Sequence, residues 1–467
     1  MEKLKKINYL KKNAIFIISG LVILFFFLIR IYALLASSPV GFDESAEGYI
    51  VQEMINGKVI YKNLFDHKSP LTHYPVILIF YLFGSSGFSL HLLGFIYDVL
   101  LLLLLFFIGK KFIGKNYAMI GCAIAAVFLF RSDLTGESPM TLFGLVGFYF
   151  YYIYLSNKKI INFFYSGIFT GISIWFKQTG VLFFFILLAH QIFLKYQKKN
   201  TELLKNILML SLGILIISLP LLSYFIVHAG FYSFFYYIFI FNLKFSGSVS
   251  RIFIVGKFLL LALGLFGLLV PLICYNWENK KKEIHSLLLI YFIIFVLFFI
   301  LSQEVFSQHL IQIVPFFSLF VAASLRFVKK REINKIFSIL LILFFMSSML
   351  SFLNEFVRQD FDQKTIITEI KNIIPEKSEI FSDNPIYLFL GGYLTNYKTF
   401  LLAPSVASVF DFSDFCDYIK SIDFLILTHR KKYLNEYNLK CVTDNFEIIK
   451  KFDDVGESYV EVWKKIN

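Results

Sequence analysis

The chain has 467 residues, of which 58% are hydrophobic, 19% aromatic and only 16% charged. Soluble cores cannot bury that much apolar surface, so a bilayer is the expected solvent. The net charge of +13 does not point to nucleic acid, because the basic residues sit in short clusters between apolar runs with no contiguous basic stripe.

From the N-terminus, five lysines in residues 1–12 precede an apolar run over 13–35. That run exceeds the roughly 7–15 residues of a cleavable signal, so it reads as an uncleaved anchor. Cutting the chain at its charged clusters predicts eleven spans near 13–36, 88–108, 117–130, 138–155, 162–176, 181–194, 207–227, 252–275, 286–301, 309–325 and 336–353. The connecting segments alternate in basic content, with 22 Lys and Arg on the N-terminal side of the membrane and 7 on the other. By the positive-inside rule the N-terminus is then cytoplasmic, and an odd number of crossings places the tail outside. Residues 72–83 are apolar but short, and counting them as a span would invert every later cluster. They read as a helix on the outer surface. The fold class is therefore a mainly α, polytopic membrane domain over 1–353, with a long outer loop at 37–87. After residue 354 charge rises and β-rich runs at 379–382, 424–428 and 459–463 alternate with helical patterns at 361–374 and 413–419. This predicts a small extracytoplasmic α/β domain over 354–467.

The first outer loop holds the most informative chemistry. Asp43 and Glu44 lie just past the first span, where a carboxylate is desolvated on one side and suits use as a base. The competing reading makes Asp43 the cap of a helix starting near Ser45, with Glu44 in its first turn. Asp66-His67-Lys68-Ser69-Pro70 sets a carboxylate, an imidazole and a cation beside a proline turn. Lys68 is either an anchor snorkelling to the interface or a phosphate contact at headgroup level. The second outer loop, 131–139, carries Arg131 and Asp133, which can pair, and Glu137, which has no evident local partner and reads as facing a cavity. Lys177 and Gln178 form an outer turn, and His309 opens the tenth span. Asp43, Lys68, Glu137, Lys177 and His309 thus fall on one side of the membrane. Glu202, Glu278, Glu283 and Glu332 lie among basic residues on the other. That one-sidedness favours a site open to the outer leaflet over a path through the bilayer. Cys416 and Cys441 have neither CxxC nor metal spacing, and free buried thiols are the expectation, a disulfide the alternative.

These residues resemble the GT-C type membrane glycosyltransferases, in particular the bacterial group related to protein O-mannosyltransferases and the aminoarabinose transferase of lipid A. The likeness rests on Asp43-Glu44 with Tyr49, then Gly57, Tyr61 and Asp66-His67-Lys68-Ser69-Pro70-Leu71. Gly136-Glu137-Ser138-Pro139-Met140, Phe176-Lys177-Gln178-Thr179 and His309-Leu310 through Pro315 add to it. The chain departs from protein mannosyltransferases where His67-Lys68-Ser69-Pro70 replaces a His-Pro-Pro-Leu-Gly-Lys type sequence. The acceptor is therefore left open among lipid, glycan and protein. The resemblance implies transfer of a sugar from a polyprenyl-phosphate donor to a hydroxyl at the outer face, by a single inverting displacement. In that scheme Asp43, Glu44 and Glu137 are catalytic, Lys68, His67, Lys177 and His309 face the donor phosphate, and neither metal nor cofactor is expected. A lipid-linked sugar flippase and a non-enzymatic polysaccharide assembly scaffold are the rival readings. The first needs polar groups in mid-span, and the second leaves Asp43 as a cap.

Overall fold

Long apolar runs interrupted by lysine clusters leave the backbone one way to satisfy its hydrogen bonds in lipid, which is helix. A computed structural model of the chain describes residues 2–36, 39–130, 136–197, 202–244, 283–301, 307–325, 331–397, 406, 412–453 and 459–466. Helix α1 is Glu2–Leu35, and two shorter helices of the first loop follow, α2 at Phe42–Ile55 and α3 at His73–Phe83. Then come α4 (Gly87–Ile113), α5 (Lys115–Leu129), α6 (Glu137–Asn157), α7 (Ile160–Phe176), α8 (Val181–Tyr196) and α9 (Leu203–Ala229). Further helices occupy Glu283–Leu301, Val314–Leu325 and Arg331–Ile373. Among the described residues, four helical segments are long and apolar enough to cross a membrane: Ala14–Leu35, Gly87–Ile113, Gln178–Tyr196 and Leu203–Ala229. The span expected at 252–275 and the Arg131–Asp133 pair lie outside the described residues.

Polar cross-links tie the helices where polarity is otherwise costly. Arg30 of α1 pairs with Asp98 of α4 at 2.8 Å. Tyr151 of α6 meets His190 Nδ1 of α8 at 2.6 Å, and His190 Nε2 meets Ser286 at 3.0 Å. Gln191 donates to the Tyr151 hydroxyl at 2.6 Å, and Asn206 of α9 donates to Gln191 at 2.9 Å.

Among the described residues, the tail holds a four-stranded sheet of β1 (Ile380–Ser382), β2 (Phe424–Thr428), β3 (Phe446–Asp453) and β4 (Tyr459–Lys465), in the order β1-β2-β4-β3. β1 runs parallel to β2, and the remaining pairs are antiparallel, with an irregularity between Ile448 and Lys450. Three strands match the expected runs. The strand at 446–453 does not, because its alternation is interrupted by that irregularity and by paired lysines. The expected boundary at 353/354 falls inside one continuous helix, Arg331–Ile373, that carries the chain into the tail. Cys416 and Cys441 are disulfide-bonded, which corrects the expectation of free thiols.

The tail grips the first loop. Gln363 exchanges hydrogen bonds with the Val40 backbone at 3.0 and 2.9 Å. The Tyr49 hydroxyl accepts from the Thr395 N–H at 3.0 Å, and Lys58 donates to the Thr395 carbonyl at 3.2 Å. Gly48 leaves room for Phe389, whose ring would lie 2.6 Å from any Cβ there. Phe389 also stacks on Phe80 of α3, with 6.0 Å between ring centroids.

Candidate active site

Helix α2 begins at Phe42, three residues before the expected start, and its N-cap is Gly41. The cap function falls to Glu44, whose Oε2 accepts the Gly41 N–H at 3.1 Å and meets His91 Nε2 at 3.3 Å. Asp43 is therefore not the cap. It sits partly exposed in the first turn, and Glu47 lies one turn on along the same face, fully buried. Asp43 is within electrostatic reach of His67, Lys68 and His309.

The loop after α2 is set by two unusual backbone residues. Gly57 takes φ +94 as the chain leaves the helix, a conformation that costs a side chain energy. Tyr61 adopts φ 66 and is fully buried against Phe225 and Phe234. Its hydroxyl donates to the Lys68 carbonyl at 2.6 Å, so the strained residue fixes the turn that presents the lysine. Asp66 Oδ1 accepts the backbone N–H groups of His67 (2.7 Å) and Lys68 (3.1 Å), closing the same turn from within.

Around Lys68 lie charges in compensating pairs. Its ammonium is 3.5 Å from Glu47 and donates to the Asp43 backbone carbonyl at 3.4 Å. Burial would lower its pKa, yet the carboxylates of Glu47, Asp43, Asp66 and Glu137 hold it above its ordinary value. His73, at the start of α3, is fully buried, with Nδ1 against Glu47 and Nε2 2.8 Å from Asp66. Asp66 is buried, but its bond to His73 keeps its carboxyl well below the usual carboxylate range. Burial pushes the His67 imidazole down, against the pull of Asp66.

A second group adjoins the first. Glu137, the first residue of α6, pairs with Lys177 and lies 3.3 Å from His309 Nε2, so the partner absent from its sequence neighbourhood comes from two distant elements. The loop and the Lys177 turn are tied together: Thr72 donates to the Phe176 carbonyl at 2.8 Å, and Gln178 donates to the His67 carbonyl at 3.2 Å. From the tail, Arg430 stacks over the Phe42 ring with its guanidinium carbon 3.8 Å from the centroid, within electrostatic reach of Asp43. The structure thus brings Asp43, His67, Lys68, Glu137, Lys177 and His309 together and gives Glu44 to the helix terminus. Glu47, His73 and Arg430 belong to the same neighbourhood without having been singled out from sequence. Glu47 was legible from its four-residue spacing after Asp43. His73 and Arg430 had no local signal. Among the described residues, no group of three or more His, Cys, Asp or Glu side chains is arranged to hold a metal ion.

Residues 67–224 match the family model described as dolichyl-phosphate-mannose-protein mannosyltransferase. No curated protein sequence matches the chain. Among solved structures, the chain is similar to ArnT from Cupriavidus metallidurans in the apo state, with a TM-score of 0.63 at 13% identity over 94% of this chain and 97% of that one. The same protein bound to undecaprenyl phosphate aligns with a TM-score of 0.59 at 13% identity over 95% and 98%. An oligosaccharyltransferase from Archaeoglobus fulgidus, in complex with Zn and sulfate, aligns at 0.55 and 13% identity over 90% of this chain and 71% of that one. The chain shares the fold of these proteins, and the mannosyltransferase family model matches its part from residue 67 to residue 224.

Proposed function

We propose that this chain is a membrane glycosyltransferase that moves a sugar from a polyprenyl-phosphate donor to an acceptor hydroxyl at the outer face. The observation that carries the proposal is the convergence of Asp43 and Lys68 with the Glu137–Lys177–His309 group, from four separate parts of the chain. In a single displacement the acceptor oxygen bonds to the anomeric carbon as the bond to the phosphate oxygen breaks. The acceptor proton goes to Asp43, and polyprenyl phosphate leaves with the bonding pair. A hydroxyl needs that base, and the departing phosphate needs a facing cation, supplied here by Lys68. Glu137 holds Lys177 and His309 beside the leaving group, with His67 completing that wall. Glu44, which accepts the Gly41 N–H at the start of α2, orients the turn that bears Asp43. The ArnT structure bound to undecaprenyl phosphate supports a lipid-phosphate donor by likeness of fold.

The membrane domain over 1–353, with eleven spans and its N-terminus inside, puts the site and the domain over 354–467 outside. The Cys416–Cys441 disulfide supports that placement, since such bonds persist in oxidising compartments. Purified protein incubated with membranes and a panel of radiolabelled polyprenyl-phosphate sugars tests the reading. Label passing from one donor to an envelope lipid, glycan or protein is the expected result. No turnover of any donor by protein that binds polyprenyl phosphate would favour a scaffold or flippase.

A further inference from the structure

The displacement scheme makes no use of His73, yet this side chain is among the most deeply buried polar groups in the first loop, with no solvent exposure. Both its ring nitrogens face carboxylates, Nδ1 that of Glu47 and Nε2 that of Asp66. Those two acids are also the inner neighbours of Lys68: Glu47 contacts its ammonium at 3.5 Å, and Asp66 accepts its backbone N–H at 3.1 Å. Without a cation at position 73, two buried carboxylates would flank one lysine, and the quartet would carry a net negative charge beside any bound phosphate. With an imidazolium there the quartet is neutral.

We infer that His73 is a positioning residue whose imidazolium neutralises Glu47 and Asp66, so that the Lys68 charge is left for the phosphate of a lipid donor. This rests on the donor site proposed above. Burial alone lowers the His73 pKa, but Glu47 and Asp66 push it up to about 10, so the ring stays charged at neutral pH. Around this quartet of Glu47, Asp66, Lys68 and His73 stand Asp43 from α2, Tyr61 and His67 from the loop, Glu137 from α6, and Tyr97 from α4, whose phenol lies within electrostatic reach of Glu47. A histidine serving only to fill space would not require both nitrogens on carboxylates. Charge balance predicts something that packing does not: a second substitution that removes one of the acids should restore what loss of the histidine takes away.

The test measures binding of undecaprenyl phosphate to the full-length protein in lipid nanodiscs. His73→Asn should weaken binding at least about tenfold, the scale of one unit charge acting across several ångströms at an effective dielectric near 20. The double variant Glu47→Gln with His73→Asn restores neutrality and should recover most of that loss. Glu47→Gln alone should bind more tightly than the natural protein. The ratio of natural to His73→Asn affinities should stay constant between about pH 6 and 8, because a cation with a raised pKa remains charged below that value. Unchanged binding by His73→Asn, or a double variant no better than the single one, would overturn the inference. So would a ratio that falls towards one as the pH rises through the ordinary histidine range. If His73→Asn cannot be purified, Glu47→Gln decides alone, since weaker or equal binding contradicts the charge argument. Failure of the natural protein to bind undecaprenyl phosphate would instead strike the donor reading itself.

Discussion

Substituting Asn for Asp43 separates chemistry from architecture, because the structure assigns the helix cap to a different residue. The Gly41 N–H is satisfied by Glu44 at 3.1 Å, so Asp43→Asn removes no capping bond. What it removes is one negative charge in the first turn of α2, worth about 0.3–1 kcal/mol of interaction with the helix dipole. Its attraction to Arg430 is also lost, but Asp43 is partly exposed and solvent screens that term. Folding should therefore be almost untouched, with a thermal midpoint close to that of the natural protein. If Asp43 takes the acceptor proton, transfer should fall by about 10² to 10⁴, or roughly 3 to 5 kcal/mol of barrier. The chemical penalty exceeds the structural one severalfold, so the two effects cannot be confused. The assay is single-turnover transfer of labelled sugar, with donor binding measured on the same preparation. Normal donor binding with lost transfer is expected. Near-normal transfer would remove Asp43 from the proton path and leave Glu137 as the carboxylate to examine.

Lys68→Ala should weaken both donor binding and turnover, and Lys68→Arg should keep part of each, since the charge survives in a different geometry; unchanged kinetics in the alanine variant would make the residue an interfacial anchor. Gly136→Ala should lower thermal stability and activity together, because a Cβ there would stand 2.9 Å from the Phe176 carbonyl oxygen, beside the turn that aims Lys177 at Glu137. A shift in the thermal midpoint without loss of transfer would separate that contact from the site. In whole cells, cysteines introduced between residues 436 and 445 should react with impermeant reagents, whereas one near Lys281 should not. Labelling of the tail only after permeabilisation would reverse the proposed orientation and move the site to the cytoplasmic face.

The helical character of the chain was legible because lipid leaves so few alternatives, and lysine clusters mark where helices end. Of the candidate site, Asp43, Lys68, Glu137, Lys177 and His309 could be singled out in the sequence as polar groups beside apolar runs, and the structure places them near one another. What could not be read was how those charges are compensated. Glu137 has no neighbour in sequence to pair with, and its partners arrive from positions 177 and 309. His73 opens an apolar helix with no acid close to it in sequence, and only the fold reveals the acids on either side of it. The start of α2 was misplaced by three residues because Gly41 offers no side-chain cap, and the returning Glu44 replaces one. The passage from membrane to tail was drawn as a break where composition changes. A helix can continue through such a change, as Arg331–Ile373 does, by exchanging apolar for charged surface without interrupting its hydrogen bonds.

The position of α2 has an evolutionary consequence. One side of this helix carries Asp43 and Glu47, and the other, through Gly48 and Tyr49, is pressed against Phe389 and Thr395 of the tail. The helix is thus a party wall between two rooms. Lineages remodelling the tail cannot enlarge position 389 or shift the backbone at 395 without moving the acids behind the wall. Grafting a tail from a distant relative should therefore silence transfer even with every site residue intact, unless position 48 and its neighbours travel with it. Tail and first loop would then be inherited as one unit, although the residues in contact, Tyr49 and Thr395, lie more than three hundred positions apart in the chain.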